Sequence, residues 1–138
     1  MKKLKYLIFY FIICNAYSIE LGKNISEIKL KYWNKDVEFN LIDELKNKKV
    51  LINFWASWCT SCINELQELE ALKVKYNKNY TFVAINAGEK KNKIKKFINK
   101  FNFSYEILSD PNRSYSKDLG VESLPRTIVL DKGGKIIF

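Results

Sequence analysis

The chain contains no histidine among its 138 residues. Imidazole acid–base chemistry, histidine-rich zinc sites and the usual haem-iron ligand are therefore closed to it on its own. Cysteine occurs three times, at Cys14, Cys59 and Cys62. Three thiols without histidine cannot complete a four-ligand Cys/His zinc site within one molecule. Arginine occurs only at Arg113 and Arg126, so lysine carries nearly all of the formal +9 charge. That surplus fits a Lys/Asn/Ile compositional bias as well as it fits a polyanion-binding surface. With no arginine cluster or recognition motif beside it, no nucleic-acid partner is expected. At 47% apolar residues, a chain of this length builds one core and falls short of two ordinary domains.

The first eighteen residues read as a targeting segment. Lys2, Lys3 and Lys5 form a basic start, and Leu7 to Ile13 is an unbroken apolar run. Ala16 and Ser18 place small residues for cleavage after Ser18. The run is shorter than the about 20 residues of a spanning helix, so a signal peptide is expected. An uncleaved membrane anchor over residues 4–19 is the second reading. Cys14 follows Ile12 and Ile13, not the small residues of a lipidation signal, and is expected to leave with the signal. Export would place Cys59 and Cys62 in an oxidising compartment, where a pair must either hold a structural disulfide or exchange it.

Residues 19–26 form a polar lead-in to a domain over residues 27–138. Ile28, Leu30 and Tyr32 alternate with lysines, as in a half-buried strand. Val37–Phe39 alternates too, and residues 41–46 read as one or two helical turns. Val50 to Trp55 is nearly all apolar and of strand length, as in a central strand covered on both faces. Leu66, Leu69, Leu72 and Tyr76 then recur at helical spacing. Tyr80–Asn86 reads as a second buried strand, and residues 89–101 as a helix with Ile94, Phe97, Ile98 and Phe101 on its inner stripe. Lysines 90, 91, 93, 95, 96 and 100 are expected on the solvated face of that helix, with docking to an acidic partner or lipid surface as the second reading. A strand at 105–108, a helix at 114–119 ended by Gly120, and strands at 126–130 and 135–138 around Gly133-Gly134 follow. Such alternation ending in a hairpin predicts an α/β sandwich with a mixed central sheet.

The chemistry is expected at Trp58-Cys59-Thr60-Ser61-Cys62. Residues i and i+3 at the start of a helix stand about one turn apart, near enough to bridge and to relay. Unpaired N–H groups at the helix N-terminus favour the first thiolate. Cys59 is thus the candidate nucleophile and Cys62 the resolving thiol of a disulfide exchange. A bare pair would fit a structural disulfide or a metal-ligand pair equally well. The position between a buried strand and an amphipathic helix, with Trp58 just before it, favours redox exchange.

Phe54-Trp55-Ala56-Ser57-Trp58-Cys59-Thr60-Ser61-Cys62, preceded by Val50 to Asn53, resembles the thioredoxin superfamily. The closer likeness is to its exported TlpA/ResA-like branch. Asn53 stands where cytoplasmic thioredoxins carry a buried aspartate. Ala84 to Glu89 and the helix and strand after it look like the branch's βα insertion. Gly120-Val121-Glu122-Ser123-Leu124-Pro125 resembles the approach to the superfamily's cis-proline, followed by the matching strand and turn. The likeness covers about residues 25–138. It implies a thioredoxin-like three-layer sandwich and a thiol-disulfide oxidoreductase with a Cys59–Cys62 redox-active disulfide and no cofactor.

By the same resemblance Pro125 would be cis beside Cys59, although only roughly 5–6% of X–Pro bonds in folded proteins are. Leu124 would then offer its backbone to a substrate strand, with Trp58 covering the sulfurs and Arg126 on the substrate rim. Glu65, three residues beyond Cys62, matches an active-site glutamate of ResA-like proteins. Its two readings are a proton acceptor for Cys62 and a carboxylate favoured at any helix start. Implied partners are proteins with disulfides, including apocytochrome c before haem attachment, and a membrane electron donor. The implied location is the periplasm or the outer face of the cytoplasmic membrane, with membrane contact only through the N-terminal segment. Ser61 departs from the proline of many relatives, which leaves the redox direction open. The resemblance also implies a closing helix beyond Phe138, so the domain reads as C-terminally incomplete. A second function class, Cu(I) carriage, would use the same two thiolates, and a third is a non-catalytic domain with a static disulfide.

Overall fold

The computed structural model describes residues 19–138. The segment expected to act as signal or anchor, with Cys14, lies outside the described residues. Among the described residues no helix is long and apolar enough to cross a membrane.

Five strands form one mixed sheet: β1 (Lys31–Tyr32), β2 (Lys49–Trp55), β3 (Tyr80–Ala87), β4 (Glu106–Asp110) and β5 (Arg126–Leu130). Their order is β1-β4-β3-β2-β5. β2, β3 and β4 run parallel, and the edge strands β1 and β5 are antiparallel to their neighbours. The helices are α1 (Leu41–Leu45), α2 (Thr60–Tyr76), α3 (Lys91–Lys100) and α4 (Ser114–Leu119).

The central strands bury both faces because their side chains alternate between two apolar clusters. Val50, Ile52 and Phe54 of β2 join Val83, Ile85, Leu108 and Ile128 on one face, beneath Leu41 and Leu45 of α1 and Leu119 of α4. Trp55, Phe82, Ala84 and Ile107 point the other way, against Leu66 and Leu69 of α2 and Ile94 and Phe97 of α3. The result is a three-layer α/β sandwich, as the alternation of elements predicts.

Several expected elements differ in extent. The inner stripe of α2 ends at Leu69, and Leu72 and Tyr76 are exposed at 44% and 40%. Leu66 and Leu69 already occupy the cluster with Trp55, Phe82 and Ala84, and the last turns meet solvent. Ile28 and Leu30 are core residues without a strand ladder, because only Lys31 and Tyr32 reach β4. Val37–Phe39 folds back on them through Tyr32 N–H to Val37 O (3.0 Å) and Phe39 N–H to Leu30 O (2.9 Å). The lysines of α3 lie on its exposed side, around buried Ile94 and Phe97, which matches the solvated-face reading.

Residues 135–138 return along β5 after the glycine turn, but as a bridge and not a regular strand. Leu130 bridges Ile136, and the Ile137 N–H donates to Val129 O at 2.8 Å. The other side of this segment is taken by the lead-in, where the Ile25 N–H donates to Gly134 O and the Gly22 N–H to Ile136 O, both at 2.8 Å. Gly134 has φ +81°, and a Cβ there would stand 2.5 Å from Ile25 O. Glycine is therefore what lets the lead-in close against the turn.

Candidate active site

β2 ends at Trp55 on the carboxyl edge of the parallel strands, and after four residues the chain enters α2 at Thr60. Cys59 is the N-cap of α2, in extended conformation at φ −93° and ψ 100°. A residue there directs its side chain across the orphan amides of the first turn. The Cys62 N–H accordingly donates to Cys59 Sγ at 3.2 Å. The two sulfurs lie at disulfide distance, 2.12 Å, with the Cα atoms 5.2 Å apart. Ser61 Oγ stands 3.5 Å from Cys59 Sγ. Cys59 keeps 6% of its surface exposed and Cys62 none, so the pair is asymmetric toward solvent. Trp58 projects beside them with 70% exposure.

The loop before β5 completes one side of the site. The Leu124–Pro125 peptide bond is cis. Leu124 packs against the cluster that contains Cys59 and Cys62. Arg126 is exposed at the start of β5, opposite Phe54.

Behind the cysteines runs a polar chain that only the strand register assembles. β2 and β5 pair with Asn53 opposite Thr127. Asn53 Nδ2 donates to Thr127 Oγ1 at 2.9 Å, and Thr127 Oγ1 donates to Glu65 Oε1 at 2.6 Å. Glu65 lies one helical turn past Cys62, so this chain connects the β5 edge with the helix that carries both thiols. Neither residue type nor spacing marks Thr127; the pairing of Asn53 with a residue 74 positions later places it here.

Glu89 is a second group whose role the sequence did not mark, although it closes the Ala84–Glu89 stretch that resembles the ResA-like branch. Its Oε2 accepts from the Ser57 N–H at 2.7 Å and from Asn86 Nδ2 at 2.8 Å, and its Oε1 accepts from Ser57 Oγ at 2.6 Å. Burial raises the proton affinity of this carboxyl. The hydrogen bonds from Asn86 and Ser57, with the charge of Lys93, outweigh burial and hold it below its usual range. A carboxyl with a lowered folded pKa contributes stability that is present above its unfolded pKa of about 4.5 and is lost as pH falls through the folded value. The stability gap between the wild-type chain and Glu89→Gln is therefore expected to be widest near neutrality and to narrow in acid. Urea unfolding of both proteins at neutral pH and well below the carboxylate range measures it. A gap independent of pH would show that folding leaves the proton affinity of Glu89 unchanged, and a gap that widens in acid would show that the folded protein holds it above its usual range.

The arrangement places one reachable sulfur at a helix N-terminus, one buried sulfur a turn behind it, and a carboxylate one turn further. The Redoxin family model matches residues 20–138. The chain is 33% identical over 121 residues to the thioredoxin-like protein YneN of Bacillus subtilis, covering 86% of this chain and 69% of that one. It is 31% identical over 97 residues to the thiol-disulfide oxidoreductase ResA of Bacillus thuringiensis, 70% of this chain and 56% of that one. The chain thus spans little more than half the length of this ResA. Among solved structures, a thiol-disulfide oxidoreductase from Bacteroides fragilis superposes with a TM-score of 0.73 at 26% identity, covering 84% of this chain and 88% of the other. With the family model matching nearly the whole described region, YneN and ResA similar in sequence and thiol-disulfide oxidoreductases similar in fold, the chain belongs to the Redoxin family, among the ResA-like thioredoxin-fold thiol-disulfide oxidoreductases.

Proposed function

We propose that this protein is an exported protein-disulfide reductase that works through Cys59 and Cys62. The observation that carries this reading is Cys59 Sγ at the N-cap of α2, accepting the Cys62 N–H at 3.2 Å. An amide donor and the positive end of a 17-residue helix lower the energy of a thiolate at that sulfur. In the reduced protein the Cys59 thiolate attacks one sulfur of a substrate disulfide and expels the other as a thiolate. The Cys62 thiolate then attacks Cys59 Sγ, forms the Cys59–Cys62 disulfide and expels the second substrate thiolate. The substrate gains two electrons and the protein loses two, which a membrane electron donor would restore.

Glu65 serves in this reading as the acceptor of the Cys62 proton. Asn53 beside it has no basic group, and the Thr127 hydroxyl, already held by Asn53, donates to the carboxylate. Leu124 would pair its backbone with a substrate strand next to Pro125, Trp58 would cover the mixed disulfide, and Arg126 would meet the substrate at the rim. The reductant direction, and apocytochrome c among the substrates, follow from the ResA likeness. Export follows from the reading of residues 1–18 as a signal or anchor, which places the protein in the periplasm or on the outer face of the cytoplasmic membrane.

The reduction potential of the pair tests the direction. In a thiol/disulfide buffer series read by tryptophan fluorescence, a reductant is expected to titrate as a two-electron couple at or below about −220 mV, toward thioredoxin's value. A value near about −120 mV would make the protein a disulfide donor instead. Retention of one Cu(I) per chain against a strong chelator, without exchange activity, would favour the copper-carrier reading.

A further inference from the structure

We propose that Glu89 is the positioning residue for the attacking thiol: its carboxylate locks the Ala56–Trp58 loop so that Cys59 is held as the N-cap of α2. This inference rests on the reading of Cys59 as the attacking thiol.

Between the end of β2 and the start of α2 lie only Ala56, Ser57, Trp58 and Cys59. Within that loop the Cys59 N–H donates to Ala56 O at 3.2 Å, a single turn with no strand or helix ladder of its own. What ties it down from outside is Glu89, which takes both the backbone N–H and the hydroxyl of Ser57. Each oxygen of the carboxylate has at least one donor, and bonds to an ionised acceptor are about twice as strong as neutral ones. Glu89 is in turn anchored. Asn86, fully buried at the end of β3, donates to it. Gly88 before it adopts φ +95° and donates its N–H to Asp110 O at 2.8 Å. A Cβ on Gly88 would stand 3.0 Å from Arg113 Cγ, so the Arg113 side chain fills the space that glycine leaves open. The latch is thus fastened to β3 and β4, two parallel inner strands of the sheet.

The consequence concerns Cys59 Sγ. Its Cys62 N–H contact exists only while the residue keeps its extended N-cap backbone. If the loop relaxes, the sulfur moves off the helix end and the thiolate loses that donor. A negative charge acting on the thiolate through space does the opposite, since removing it would lower the thiol pKa. The two roles therefore have opposite signs.

The test uses the full chain with Cys14→Ser and Cys62→Ser, so that Cys59 is its one thiol, in versions with native Glu89, Glu89→Ala, Glu89→Gln and Glu89→Ala combined with Ser57→Ala. Thiolate absorbance and the pH dependence of iodoacetamide alkylation read the Cys59 pKa. With Glu89 intact, Cys59 is expected to titrate below the about 8.5 of a free thiol. Glu89→Ala is expected to raise the pKa and cut the thiolate fraction at neutral pH about three- to tenfold, the range expected for loss of a helix cap. Glu89→Gln, which still accepts through one oxygen, falls between, and Ser57→Ala added to Glu89→Ala changes little further. A Cys59 pKa that is unchanged or lowered in both Glu89 variants would overturn the positioning role, whatever happens to the unfolding midpoint. A free-thiol titration with Glu89 intact would instead overturn the reading of Cys59 as the attacking thiol.

Discussion

Cys59→Ser is expected to reduce thiol-driven insulin disulfide reduction to the uncatalysed background, because a hydroxyl at the N-cap is not a nucleophile at neutral pH. Cys62→Ser should behave differently. Its Cys59 still attacks, but nothing resolves the product, so the protein accumulates as mixed disulfides with its substrates. The asymmetry of burial sets this order: a substrate disulfide can reach Cys59, at 6% exposure, and cannot reach Cys62, at 0%. Non-reducing gels of the Cys62→Ser protein after exposure to oxidised substrate, with mapping of the trapped sulfur, check both halves. Adducts mapped to Cys62 in Cys59→Ser, or normal turnover in either variant, would reverse the assignment.

The largest stability effect is expected at Trp55. It is the last residue of β2, only 1% exposed, and its ring packs 4.6 Å from that of Phe97. Phe97 continues the stack to Phe101 and Phe103, at 4.7 and 5.7 Å, so Trp55 joins the strand that precedes the cysteines to the aromatic layer under α3. Trp55→Ala would leave a cavity there and is expected to cost about 3–5 kcal/mol. Its indole N–H has no hydrogen-bond partner among the described residues. Trp55→Phe keeps most of the packing and removes that buried donor, so its cost should stay below about 1.5 kcal/mol. Urea unfolding of the oxidised proteins compares them. Equal losses in the two variants would mean that a phenyl ring recovers none of the packing and that the full indole shape is required at this site.

The readings that survived from sequence to structure are those set by short-range pattern. Val50 to Trp55 is a buried strand because a nearly unbroken apolar run of that length can be satisfied only with both faces covered. Gly120 ends α4 in the left-handed region, as a glycine after a last helical turn does. The cysteine spacing places both sulfurs on the first turn of a helix wherever the fold puts that helix. Where a pattern depended on a distant partner, it overreached: Leu72 and Tyr76 carry the right spacing for an inner face, but the sheet offers them no apolar partner. The alternation over residues 28–32 is real, yet it yields two paired residues, because β4 meets only Lys31 and Tyr32.

By itself, then, the sequence determined the class of chemistry: two thiols one turn apart, no imidazole, and an apolar strand leading into them. It also determined the layered α/β plan, since hydrophobic period and turn chemistry are local properties of the chain. Tertiary structure decided what surrounds the thiols. Thr127 meets Glu65 because β5 runs antiparallel to β2 in one register, and Glu89 reaches Ser57 because β3 lies parallel beside β2. Contacts across 32 and 62 residues leave no periodic trace in the chain, because a hydrogen bond between distant side chains depends on strand order and register, and these are settled only when the whole sheet packs.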